Sequence, residues 1–328
     1  MRHYVIVSLD NTNSNQAVQS TNLYRFLPSL DLIILPFHQV LPGNHTMSSQ
    51  ESSPKEANLE ISYTRLSPSL DTSGKDPSHA PIVFLHGLST YHMEFSHTTP
   101  FLSKDYDLIL VDLPGHSGSR DILPFTLDNA VNALSHLVST KVAGGRAHIV
   151  GLSLGGVVAL EFARRYPELV LSLFCTGCAP LSGYRKWFIS RPRLMGGIEI
   201  LSGKLTTEWM FWSFIGIEPF PRLREEMQRN HSMELLRSGY GACTEMTIKR
   251  IAEIRGVRIA IVAGGKKDNV EQTRETGKAL ANTNPECKAF VVRDAVHLWD
   301  LQLPELFAQG VRAWVEGSEM PKEFELLK

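Results

Sequence analysis

From about Asn58 onward, short apolar runs and helical spacings take turns along the chain. Ile82-Val83-Phe84-Leu85 and Leu108-Ile109-Leu110-Val111 are apolar blocks, closed by His86-Gly87 and by Asp112-Leu113-Pro114-Gly115 respectively. Leu127, Val131, Leu134 and Val138 then stand at i, i+4, i+7 and i+11, which predicts an amphipathic helix. Ala147–Val150 predicts a third strand and is followed by the helical pattern VVALEFARRYPE, halted near Pro167. Leu169–Phe174, Val257–Val262 and Phe290–Val292 predict three further strands. A helix is expected over 270–282, and a last one presents Leu303, Phe307, Val311 and Trp314 on one face. Strands that are apolar throughout are buried on both faces, and helices between them make a sheet mainly parallel. The expected fold is a doubly wound, mainly parallel α/β sheet, whose ligands bind beyond the carboxyl ends of its strands.

Two stretches break this alternation. Between the fourth and fifth strands, 181–256 reads as a helical cap inserted into a core of 59–180 and 257–328. Eight aromatics fall within 181–220: Tyr184, Trp187, Phe188, Trp209, Phe211, Trp212, Phe214 and Phe220. They are expected to form a small core of their own or to line an apolar pocket, and both can hold at once because a cap has an inner and an outer face. Residues 1–58 carry Asn, Ser and Gln clusters, scattered prolines and no sustained period. Two expectations stand for them: Met47 is the natural start, or the segment is an arm that packs through Leu30 to Phe37.

Composition removes whole classes of function. With 33 Lys and Arg against 34 Asp and Glu, the net charge is −1, which lacks the basic excess of a nucleic-acid protein. Hydrophobic residues at 43 % and charged residues at 20 % match a soluble globular chain. The most apolar early stretch, Phe26–Phe37, is broken by Pro28, Asp31 and Pro36, well short of the roughly 18 residues a spanning helix needs. No secretory leader pattern opens the chain, and four cysteines are too few for a disulfide scaffold, so a reduced cytoplasmic setting is expected. Cys175 and Cys178 form a C-x-x-C but close an apolar run, which favours small core residues over a redox or metal pair. The sequons at Asn44 and Asn230 carry little weight without secretion.

The chemistry concentrates after the strands. Gly151-Leu152-Ser153-Leu154-Gly155 is a G-x-S-x-G between a predicted strand and a predicted helix. Such a turn is tight enough to need glycines on both sides, and it lifts the Ser153 hydroxyl toward a helix N-terminus. A serine hydroxyl needs a base to take its proton and a third group to orient that base. His297, between the sixth strand and the final helix, is the candidate base. His148 lies inside a strand and reads as a packing group, while His116 comes too early along the chain. Asp268, in the turn after the fifth strand, is the candidate orienting acid, and Asp294, three residues before His297, is its rival. The backbone N–H of Leu154 and that of Leu88, in the His86-Gly87-Leu88 turn, are the expected oxyanion donors. His86 reads as a structural residue of that turn.

Taken together, PIVFLHGLS, DLPGHSGS, GLSLGG, AGGKKD and AVHLWDLQLPELF resemble the α/β-hydrolase superfamily over about 58–317, in its large branch with a helical cap after the sixth strand of the full fold. The order Ser153, Asp268, His297 is also the order of that superfamily. The resemblance implies a serine hydrolase acting on an ester, thioester or lactone of a largely apolar small molecule, with no cofactor and no metal. Relatives that dehalogenate or open epoxides carry Asp where Ser153 stands, so both activities are disfavoured. Ring-cleavage carbon–carbon hydrolases extend the His-Gly turn with Gly-Pro-Gly, where this chain has Leu88-Ser89-Thr90. Acyl transfer, lyase or cyclase chemistry on the same triad, or a ligand-binding receptor, stay open as alternatives.

Overall fold

The computed structural model describes residues 60–68 and 80–328. The expectations for Met47, for Leu30–Phe37 and for Asn44 lie outside the described residues. Eight strands form one sheet among the described residues: β1 (Tyr63–Leu66), β2 (Ile82–Leu85), β3 (Leu108–Val111), β4 (Ala147–Leu152), β5 (Val170–Thr176), β6 (Ile259–Gly264), β7 (Lys288–Val292) and β8 (Glu325–Leu326). Their order is β1-β3-β2-β4-β5-β6-β7-β8. All six strands expected from the apolar runs are present as β2 to β7, mutually parallel, with bounds displaced by no more than a few residues. β1 and β8 flank them, each antiparallel to its neighbour. They are short and half-exposed, so no continuous apolar run marks them.

The helices take the two faces of the sheet. α1 (Leu127–Lys141) is capped by the Thr126 hydroxyl, which accepts from the Asn129 N–H, and buries the predicted stripe against one face. α2 (Leu154–Arg165) follows β4 directly, and ten of its residues are buried. Between β5 and β6 run α3 (Gly183–Ile189), α4 (Pro192–Leu205), α5 (Glu208–Ile215), α6 (Pro221–Asn230), α7 (Met233–Glu245) and α8 (Ile248–Ile251). α9 (Val270–Ala281), α10 (Trp299–Gln302) and α11 (Pro304–Glu316) complete the chain. Two apolar clusters, one on each face of the sheet, form the core: one holds Leu85, Ile149 and Leu160, the other Phe84, Phe174 and Phe307.

One ionic knot ties the helical insertion to this core. Glu161 on α2 is buried and accepts from Arg164, from Arg165 and, at 2.7 and 2.8 Å, from Arg250 on α8. Burial opposes the ionised carboxylate, but the bonds from these arginines outweigh it and hold Glu161 well below the usual carboxylate range.

The eight aromatics of 181–220 divide among several surroundings. Trp212 alone is fully buried, Phe211 and Phe220 are half-buried, and the other five are exposed.

Candidate active site

Each expected site residue sits at the carboxyl edge of the sheet: Leu88 after β2, Ser153 and Leu154 after β4, Asp268 after β6 and His297 after β7. Ser153 adopts φ 53° and ψ −115°, a left-handed conformation that costs a non-glycine residue free energy. Its neighbours explain how that turn closes. A Cβ at Gly151 would stand 2.6 Å from the Gly155 carbonyl oxygen, and one at Gly155 would collide with the carbonyl of Leu85. Both glycines of the motif are therefore steric necessities.

His297 and Asp268 meet directly. His297 Nδ1 lies 2.6 Å from Asp268 Oδ1, while Asp268 Oδ2 accepts from the Gly264 N–H at 2.7 Å. That arrangement fixes the carboxylate from both sides and leaves the imidazole's other nitrogen for a partner. Burial alone would lower the His297 pKa, but the charge and hydrogen bond of Asp268 outweigh it and raise it above the ordinary 6.5. Asp294, the rival acid, is 90 % exposed and lies 3.6 Å from Lys266, away from the imidazole.

The turn after β2 is held from three directions. The Gly87 N–H donates to Glu94 Oε2 at 2.8 Å, the Ser89 N–H to His116 Nε2 at 3.1 Å, and the Thr90 N–H to the Gly87 carbonyl at 3.4 Å. Leu88 is the residue of this turn whose N–H has no acceptor among the described residues. The Leu154 N–H is the first of α2 and so has no partner within the helix. The turn lies close to the serine: a Cβ at Gly87 would make ordinary contact with Ser153 Cβ at 3.6 Å.

His86, His116 and His148 are each held by local hydrogen bonds. His86 is buried, accepts from the Leu113 N–H at 3.0 Å and lies 2.7 Å from the Gly87 carbonyl, a pattern met by the neutral Nδ1–H tautomer. Burial pushes His86 down to about 4 and His116 to about 3. His148 pairs with the Ser172 hydroxyl at 2.8 Å inside the sheet. Cys175 and Cys178 are free and buried, and the hydrogen bond between them together with burial pushes the Cys178 thiol well above its usual range, which suits core residues. No group of three or more His, Cys, Asp or Glu fit to hold a metal occurs among the described residues.

Several residues that bear on the site escape sequence reasoning. Glu94 is fully buried and also accepts from Thr90 Oγ1 at 2.8 Å; burial raises its pKa from 4.5 to about 7. Asp300, on α10, is buried beside it and shifted upward for the same reason. Asn230, at the end of α6, donates from Nδ2 to the carbonyls of Ser89 and Thr90 at 3.1 and 3.0 Å, so the second sequon is a buried clamp on the turn. Gly177, with φ +63°, sits under the His297 ring, and a Cβ there would come 2.6 Å from His297 Cε1. Only spatial proximity assigns these roles, apart from Gly177, which follows a strand end.

A cavity of about 460 Å³ is lined by Ser153, His297, Asp268, Leu88 and Gly87. Much of the remaining wall is apolar and comes from the helical insertion, including Ile189, Phe214, Ile215 and Met227. Glu199 and Tyr240 form a polar spot in that wall, where the Tyr240 hydroxyl donates to Glu199. Arg185 and Lys267 stand at another part of it.

A mainly parallel sheet with a serine at a positive-φ strand–helix turn, lining the same cavity as a paired histidine and aspartate, is the arrangement of a hydrolase fold. Residues 82–310 match the alpha/beta hydrolase family, and the chain belongs to it. A protein of Gibberella zeae described as an AB hydrolase superfamily protein is 25 % identical over 294 residues, covering 89 % of this chain and 99 % of the relative. A pimeloyl-[acyl-carrier protein] methyl ester esterase of Neisseria meningitidis is 26 % identical over 248 residues, covering 72 % of this chain and 77 % of the relative. Among solved structures, MGS-M2, an alpha/beta hydrolase enzyme from a deep-sea metagenome library, superposes with a TM-score of 0.61 at 18 % identity, covering 80 % of this chain and 96 % of that one. This last likeness is one of fold. Among the described residues no helix is long and apolar enough to cross a membrane.

Proposed function

We propose that the protein is a serine hydrolase that cleaves an ester, thioester or lactone bond of a largely apolar small molecule through an acyl-enzyme. The observation that carries this reading is the Asp268–His297 pair opening onto the same cavity as Ser153. His297 removes the Ser153 proton as the oxygen attacks the carbonyl carbon, and the resulting imidazolium is stabilised by Asp268. The developing oxyanion accepts from the N–H groups of Leu88 and Leu154. Collapse of the tetrahedral intermediate breaks the bond to the leaving group, which takes the proton from His297. Water, deprotonated in turn by His297, then releases the acyl group from Ser153. No step calls on a metal or cofactor, and 181–256 serves as a cap that supplies the apolar wall. The methyl ester esterase among the relatives supports the carboxylic ester class.

Labelling by a fluorophosphonate probe and turnover of short p-nitrophenyl esters test this. Both are expected from the native chain and neither from Ser153→Ala at unchanged thermal stability. Unchanged turnover in that variant would remove Ser153 from the reaction.

A further inference from the structure

Two helices of this chain carry the same apolar spacing and turn it in opposite directions. On α1, Leu127, Val131, Leu134 and Val138 are buried. On α4, Leu194, Ile198, Leu201 and Leu205 repeat the i, i+4, i+7, i+11 pattern but are 38 to 72 % exposed. The face α4 packs inward is its small-residue face. Gly196 and Gly203 are buried, and a Cβ at Gly196 would stand 3.1 Å from Met233 Sδ on α7. Bulky apolar side chains are thus displayed while glycines are covered, the inverse of a helix packed for stability alone. Trp187 on α3 and Trp209 on α5 extend the displayed surface and are exposed as well. A row of exposed apolar side chains of this kind is the material of an interaction site.

Charge selects the partner. From Gly183 to Leu205 there are five cations, Arg185, Lys186, Arg191, Arg193 and Lys204, and one carboxylate, Glu199, in a chain whose net charge is −1. Glu199 is turned toward Tyr240 and His231, and Glu208, which opens α5, accepts from the Trp212 Nε1–H and from Arg224, so both carboxylates of these helices are already paired. A second copy docking through a two-fold axis would oppose this cationic segment to itself. An anionic lipid surface accepts both features, since acyl chains take the leucines and headgroups take the lysines and arginines. Exposed tryptophans suit the boundary between the two. The surface is also continuous with the cavity, because Phe214 is 80 % exposed and lines it.

We propose that the outer face of α3, α4 and α5 docks on an anionic lipid surface, with the cavity mouth at Phe214 next to it. Docking stands apart from the hydrolase reading and does not rest on it.

Sedimentation of the full chain with vesicles tests the proposal, using phosphatidylcholine alone and phosphatidylcholine with about 30 % phosphatidylserine, at low and high salt. Binding is expected to the anionic vesicles, to weaken with salt, and to be equal for Ser153→Ala, so that loss of catalysis leaves the result readable. Lys186→Gln, Arg193→Gln and Lys204→Gln are each expected to lower partition about fivefold. Leu201→Ser with Leu205→Ser and Trp209→Ser is expected to abolish it, with thermal unfolding and turnover of a short soluble ester unchanged. Absence of binding to anionic vesicles, or equal binding by the native chain and the apolar triple variant, would overturn the proposal. So would a concentration-dependent oligomer that the same three substitutions dissolve without any vesicle binding, which would assign the face to a second copy.

Discussion

Asp268 holds His297 with one carboxylate oxygen while the other is held by the backbone of Gly264. The imidazole is therefore oriented by a group that cannot itself swing away. Because the pair raises the His297 pKa above 6.5 and the base acts only when neutral, hydrolysis is expected to fall as pH drops through a value above 6.5. In Asp268→Asn the acid limb of kcat/KM is expected to move to lower pH, with a rate loss on the order of 10⁴-fold. A pH–rate profile with both limbs unmoved would take the orienting role from Asp268.

Gly177 is expected to be as sensitive as the catalytic residues though it does no chemistry. A methyl group at Gly177→Ala would press on His297 Cε1 from a residue already at φ +63°. A displacement of about 1 Å at the base is expected to lower kcat about 100-fold with KM little changed. Steady-state kinetics alongside a melting curve separate this from unfolding.

Glu94 makes an opposite-signed contribution to most carboxylates. Its folded pKa is about 7 against an ordinary 4.5, so between those values the folded chain binds more protons than the unfolded one. Stability contributed by this group is expected to decline as pH rises from 4.5 to 7, by at most about 3 kcal/mol. Glu94→Gln keeps the shape without the titration, and its melting temperature is expected to lose that slope. A parallel pH dependence in both proteins would show that Glu94 titrates normally.

Glu161 runs the other way. Its folded pKa is depressed, so the stability it lends is present at neutral pH and is lost as pH falls below the ordinary 4.5. Glu161→Ala leaves three arginines without their shared carboxylate and is expected to cost about 3 kcal/mol or more at pH 7. Denaturant unfolding measures this directly, and a change under about 0.5 kcal/mol would show that the knot is replaceable by solvent.

The residues most legible in the sequence are those whose position along the chain carries their meaning. β2 to β7 are largely buried on both faces, so each carries a predominantly apolar run, and Ser153, Asp268 and His297 each follow one. Glu94, Asn230 and Asp300 are different. They act on the turn at Gly87–Thr90 or beside it from distant parts of the chain, and nothing local distinguishes them from surface polar groups. The stripe on α4 shows a further limit. Spacing tells that a helix has an apolar face, but only the neighbours decide whether that face is covered, and here Gly196 and Gly203 face the neighbour instead.

β1 and β8 have a consequence beyond closing the fold. An unpaired outer strand offers a ladder of free N–H and C=O groups to any other chain, which is a route to aggregation. Here the six parallel strands meet solvent on neither side directly. One flank ends in four residues, where Arg65 pairs with Asp107, and the other in only two, where Glu325 pairs with Arg293. Strands so short and charged give an incoming chain little length to grip, so the apolar interior of the sheet stays closed to edge-on growth even where the protein is crowded.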